Sequence, residues 1–154
     1  MGAAAADQAG KIGAVASAGG GPAPGAGRPS VVRNAGAAFG LGQQWTVVIS
    51  LVTLAALAGL VVAGLRARRP GWVVALALMA GGAAGNAVDR LLRGPGLLRG
   101  AVVDWITVPG YGFTFNLADL ALRGGAIMAV LLVVRPVRRT SRRFHRPGKP
   151  WLSR

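Results

Sequence analysis

The chain of 154 residues is 53% hydrophobic and 14% charged, with a formal charge of +14 and only four acidic residues. That balance excludes an ordinary soluble domain and points to a membrane-embedded protein, mainly α, built as one small transmembrane helical bundle. The absence of cysteine excludes disulfides and thiolate chemistry, and a single histidine leaves too few ligands for zinc, so no metal or other cofactor is expected.

Residues 1–30 are rich in Ala, Gly and Pro and hold no apolar run of the roughly 20 residues a span requires. They read as a flexible lead-in. The AVASA segment has the small residues of a signal-cleavage site, but no hydrophobic core precedes it. Residues 31–44, VVRNAGAAFGLGQQ, mix β-branched residues with glycines and predict short extended structure with turns. Residues 45–65 then run without a charge, and as a helix they reach roughly 31 Å, enough to cross a bilayer. Arg66, Arg68, Arg69 and Pro70 end that span.

A second span is predicted over residues 71–92. Gly81 and Gly85 make a small-xxx-small face for close helix packing, and Asn86, Asp89 and Arg90 share one face at its end. A third span is predicted over 116–134, with Asp119 and Arg123 in its first two turns. Residues 136–154 form a basic tail, and eight of the eighteen basic residues fall in the last twenty positions. The tail and the 66–69 cluster are expected on the cytoplasmic side, which leaves 1–44 and 93–115 outside. Arg90, Arg93 and Arg99 oppose that orientation but are outnumbered by the tail.

Two of the four acids, Asp104 and Asp119, flank the start of the third span. A carboxylate next to hydrocarbon is costly and is a functional candidate for that reason. Two that meet would share a proton, one ionised to activate water and one protonated to polarise a peptide carbonyl. Other hydrolytic arrangements lack their parts. The lysines, Lys11 and Lys149, lie outside the spans, His145 lies in the tail, and the glycine runs lack the lysine of a phosphate loop. Structural readings stand beside the catalytic one. Asp104 could be a surface residue at a turn. Asn116 could cap the third helix with Asp119 in its first turn, or Asp119 could pair with Arg123. Asp89 beside Arg90 reads as a helix-end ion pair rather than a direct catalyst.

Four stretches in register, RNAGAAFG at 33–40, GGAAGNAVDR at 81–90, VVDWI at 102–106 and FNLAD at 115–119, resemble the lipoprotein signal peptidases, signal peptidase II. The resemblance covers about 31–135 and, weakly, DQAGK at 7–11, which is similar to the end of that family's first transmembrane helix. It implies an intramembrane aspartic endopeptidase that cuts prolipoproteins just before a cysteine carrying diacylglycerol. Asp104 and Asp119 would be the catalytic pair, with Asn34, Asn86, Asp89, Arg90 and Asn116 binding substrate or ordering the pair. Residues 31–44 would join a small extracytoplasmic β-segment, and 105–114 a loop over the substrate. The enzyme would be a monomer in the bacterial cytoplasmic membrane, with its active site near the outer face and its C-terminus inside. The family has four transmembrane helices and this chain shows three convincing ones, so the first is expected to be missing, either because the true start lies upstream or because the product is degenerate. The alternative function is an inactive or relay-type small membrane protein. The arginine-rich tail has few interleaved aromatics, so it is expected to touch anionic lipid rather than nucleic acid.

Overall fold

The structure, a computed structural model, describes residues 2–18, 31–37, 40–108 and 113–134. Four helices are packed together: α1 (Gly2–Ala18), α2 (Thr46–Arg66), α3 (Pro70–Leu92) and α4 (Leu117–Val134). Three of them are long and apolar enough to cross a membrane, with α2 extended at its start by a 3-10 turn at Gln43–Trp45. Their outward surfaces are hydrocarbon-like. Leu51, Val52, Val61 and Leu65 of α2, and Ile127, Val130, Leu131 and Val133 of α4, are exposed to the surroundings. In water such faces would be a liability, and in lipid they are the expected solvent contact.

The interior is held by small residues rather than by large apolar ones. Gly82 of α3 sits so close to α4 that a Cβ there would overlap the Ala118 carbonyl oxygen, and a Cβ on Gly125 of α4 would lie 2.6 Å from the Ala75 carbonyl oxygen. Close backbone approach is how helices associate where water provides no driving force. The Gly81/Gly85 face also serves close packing, and its partner is α1: a Cβ on Gly81 would lie 2.9 Å from Ala3 Cβ, and one on Gly85 2.6 Å from an Asp7 oxygen.

That partner corrects the expected flexible lead-in. Over Gly2–Ala18 the chain is a helix of 17 residues, about 25 Å long. It lies along the second half of α3 instead of outside the bundle, since Ala3 meets Gly81 and Asp7 meets Gly85. Alanine-rich sequence favours the helix, and burial of Asp7 and Lys11 against α3 pins it in place. Residues 19–30 and the tail beyond 134 lie outside the described residues.

Two short antiparallel ribbons sit at the end of the bundle where α3 stops and α4 starts. β1 (Val32–Asn34) pairs with β2 (Val102–Asp104) in the register Val32↔Asp104 and Asn34↔Val102. β3 (Ile106–Thr107) pairs with β4 (Thr114–Phe115), with Ile106 opposite Phe115. The extended structure expected in 31–44 is therefore present over Val32–Asn34. Gly40 and Gly42 turn the chain from it into α2 with φ of 72° and 70°, a left-handed region that glycine enters without steric cost. Of the 105–114 loop, residues 109–112 lie outside the described residues.

Candidate active site

Asp104 and Asp119 arrive from different elements, Asp104 from the last position of β2 and Asp119 from the first turn of α4. Two asparagines join them. Asn116 Nδ2 donates to Asp104 Oδ1 at 2.6 Å and to Asn86 Oδ1 at 3.2 Å, and Asn86 Nδ2 donates to Asp119 Oδ1 at 3.1 Å. Asn116 Oδ1 accepts the Asp119 backbone N–H at 2.9 Å. Asn116 is thus the cap of α4 and at the same time the link between the carboxyls. The capping reading holds, and the same side chain also touches Asp104. No ion pair joins Asp119 to Arg123 among the described residues.

Asn34 stands across the β1–β2 ribbon from this pair. Its Nδ2 donates to Ala37 O at 3.1 Å and reaches Asp104 Oδ2 at 3.4 Å, while its Oδ1 accepts Gly36 N–H at 2.9 Å. Arg90 is buried and turns away from its neighbour Asp89. Its guanidinium donates to Gly36 O at 2.6 Å and Ala35 O at 3.4 Å, and its Nε is buried without an acceptor among the described residues. The expected Asp89–Arg90 ion pair is therefore corrected.

Asp89 pairs instead with Lys11 at 2.8 Å and Arg93 at 2.6 Å. Its oxygens also accept Gln8 Nε2 at 3.1 Å and the Val103 backbone N–H at 3.1 Å. Adjacent side chains on a helix point about 100° apart, so Asp89 and Arg90 face different neighbours, whereas Arg93 lies one turn on from Asp89. Through Val103, Asp89 fixes the strand residue next to Asp104. Lys11 completes a buried cluster, meeting Asp7 at 2.7 Å and Asn86 Oδ1 at 3.1 Å. Asp7 Oδ1 in turn accepts the Ala118 N–H at 2.9 Å, a second orphan amide at the start of α4. Sequence reasoning did not place Asp7, Gln8, Lys11 and Arg93 in the site. The available signal was an acid and a base at i, i+4 in an otherwise apolar helix, a costly pair unless each finds a partner.

Asp104, Asp119, Asn34, Asn86, Arg90 and Arg123 line one cavity of about 960 Å³, whose other wall is apolar, from Val48, Ile49, Val52, Ala56 and Leu60 of α2 and Leu122 of α4. The cavity joins carboxyl chemistry to a hydrocarbon-lined slot. Burial pushes the Asp104 carboxyl from its ordinary 3.8 up to about 6, and the nearby Asp119 charge adds to that, against the pull of Asn116, Asn34 and Lys11. A carboxyl whose pKa is higher folded than unfolded holds its proton more tightly in the native state. Its contribution to stability is full below about pH 4 and is lost as pH rises through about 6. Asp104→Asn is expected to raise the unfolding midpoint in detergent above pH 6, with the gain vanishing near pH 4. A gain that is the same at both pH values would contradict the titration.

A family model described as Signal peptidase (SPase) II matches residues 1–135. The chain is 44% identical over 105 residues to the lipoprotein signal peptidase of Mycobacterium avium, covering 68% of this chain and 57% of that protein. It is 46% identical over 103 residues to that of Mycolicibacterium smegmatis (67% and 43%), and 41% over 108 residues to that of Streptomyces coelicolor (70% and 52%). The chain spans about half the length of the curated relatives it matches. Two solved bacterial membrane enzymes, both determined in meso, share the fold. One has a TM-score of 0.67 at 27% identity over 96% of this chain and 90% of that chain. The other has a TM-score of 0.66 at 28% identity over 86% and 88%.

Proposed function

The chain belongs to the signal peptidase II family, and from that premise we propose that it is an intramembrane aspartic endopeptidase that removes signal peptides from diacylglyceryl-modified prolipoproteins. The observation that carries this reading is the pair of aspartates linked through Asn116 and Asn86 at the wall of a half-apolar cavity. The ionised member takes a proton from water, which attacks the scissile carbonyl. The protonated member polarises that carbonyl and later protonates the leaving amine.

The apolar wall from α2 suits the acyl chains and helical signal segment of such a substrate, and the unused Arg90 Nε suits a backbone carbonyl near the cut. All four acids gather around the α3–β2–α4 junction, which speaks against a relay that would need acids spaced across the bilayer. The protein would sit in the bacterial cytoplasmic membrane, its site near the outer face and its C-terminus inside, acting as a monomer among lipid-modified substrates and membrane lipids, with no nucleic-acid partner.

The test is cleavage of a purified prolipoprotein in micelles, with and without the diacylglyceryl group on its cysteine. Mass spectrometry should find a released peptide ending just before the cysteine, formed only from the lipidated substrate. Equal cutting of the unmodified substrate, or cutting elsewhere, would overturn the assignment.

A further inference from the structure

The geometry points to Lys11 as a positioning residue for this reaction: by holding the oxygen end of the Asn86 side chain, it turns the Asn86 NH2 group onto Asp119. The inference rests on the reading of Asp104 and Asp119 as the catalytic pair. A lysine ammonium has three donors and no acceptor. In this protein Lys11 is fully buried and all three are used, on Asp7 Oδ2 at 2.7 Å, Asp89 Oδ2 at 2.8 Å and Asn86 Oδ1 at 3.1 Å. Only an oxygen can face it.

The oxygen and nitrogen of an asparagine are assigned by the network around them, and this network fixes Asn86 twice. Its Oδ1 also accepts Asn116 Nδ2 at 3.2 Å. Asn116 cannot flip, because its own Oδ1 accepts the Asp119 backbone N–H, which can only donate. Each catalytic carboxyl therefore receives an amide donor on its Oδ1, from Asn116 at 2.6 Å for Asp104 and from Asn86 at 3.1 Å for Asp119. An oxygen that accepts such a donor carries no proton in that direction, so these amides, with Asn34 Nδ2 at 3.4 Å from Asp104 Oδ2, restrict where the shared proton can sit. Without the lysine, Asn86 loses one of the two donors on its oxygen, and its amide is freer to turn that oxygen towards Asp119. The charged groups facing Asp104 come from three helices: Lys11 of α1, Arg90 of α3 and Asp119 of α4.

A double-mutant cycle on the full chain in micelles tests this, with Lys11→Met, Asn86→Ala and the two combined. Lys11→Met is expected to lower kcat about 10- to 100-fold, the range seen when an outer partner that orients a functional group is lost, with KM within about threefold. The double variant is expected to be no slower than Asn86→Ala alone. Infrared absorption of the protonated carboxyl, identified by its loss in Asp104→Asn, should titrate at higher pH in Lys11→Met, because the lysine charge no longer favours the carboxylate. Losses that multiply, or a titration that stays in place, would overturn the inference.

Where Lys11→Met does not unfold cooperatively, Lys11→Gln takes its role. It retains a donor for Asn86 but not the charge, so its kcat should stay within about tenfold of the unmutated protein while the titration still moves up. A Gln variant slowed beyond that range would also overturn the inference. Cleavage that survives Asp104→Asn would instead overturn the functional reading itself, a result distinct from multiplying losses in a cycle whose dyad variants are inactive.

Discussion

Asp104→Asn and Asp119→Asn, each made alone, are expected to lower kcat on a lipidated prolipoprotein by on the order of 10⁴-fold, with KM within about threefold. The proposed mechanism divides one proton between the two carboxyls. An asparagine at either position keeps the shape and one hydrogen-bond acceptor, so the Asn116 and Asn86 amides still have an oxygen to bind. It can neither take a proton from water nor give one to the leaving amine. Because the two residues act as one unit, the double variant should be no slower than either single one. Initial rates over a range of substrate concentration, with melting curves to show that each variant is folded, decide the matter. Retention of even a tenth of the rate by one variant would remove that residue from the chemistry.

The largest expected effect on stability belongs to Asp89, not to Asp104 or Asp119. Its two oxygens receive Lys11, Arg93, Gln8 and the Val103 amide, and it is fully buried. Asp89→Leu would leave Lys11 with Asp7 as its one carboxylate, beside Asn86 Oδ1, and Arg93 without a carboxylate among the described residues. Removing one partner of a buried ion pair costs roughly 3–5 kcal/mol, because the remaining charge is left uncompensated. The unfolding midpoint in micelles should fall sharply, and activity with it, since the Val103 amide beside Asp104 loses its acceptor. Combining Asp89→Leu with Lys11→Met should recover part of the stability, as the pair of changes removes one charge of each sign. An Asp89→Leu protein that melts at the unmutated temperature would show that the cluster is not holding α1 and β2 in place.

These two expectations separate roles that look alike in a list of acids. Asp104 is held by amide donors and pushed towards protonation by burial, which suits a group that must exchange a proton. Asp89 is held by two cations and fixed as a carboxylate ligand to its neighbours, which suits a strut. The same residue type serves both, and the difference lies in what faces the carboxyl.

Much of this was already legible along the chain. The uncharged run 45–65, the small-residue span after Pro70 and the helix after Asn116 are local signals, since length and hydropathy alone fix whether a segment can cross lipid. Asn116 as a cap was legible for the same reason, because a cap and its first turn are neighbours in sequence. The candidate residues Asn34, Asn86, Arg90, Asp104, Asn116 and Asp119 could be named from short motifs. Their meeting could not. Asp104 and Asn86 are joined through an asparagine that belongs to a third element, and no spacing in the chain encodes that.

The helix α1 and the partner of Asp89 were decided by tertiary structure. Judged by itself, residues 2–18 lack the apolar length of a span, and an isolated helix of 17 residues is marginal. Its stability comes from the Gly81/Gly85 face of α3 and from burying Asp7 and Lys11 where carboxylates and amides complete their hydrogen bonds. Likewise, Asp89 next to Arg90 suggested a pair by adjacency, while the helix geometry sent the two side chains to different neighbours. Sequence sets which segments can enter a membrane and which residues can carry charge there. Which charges meet depends on helices packed side by side, and that is a property of the whole bundle.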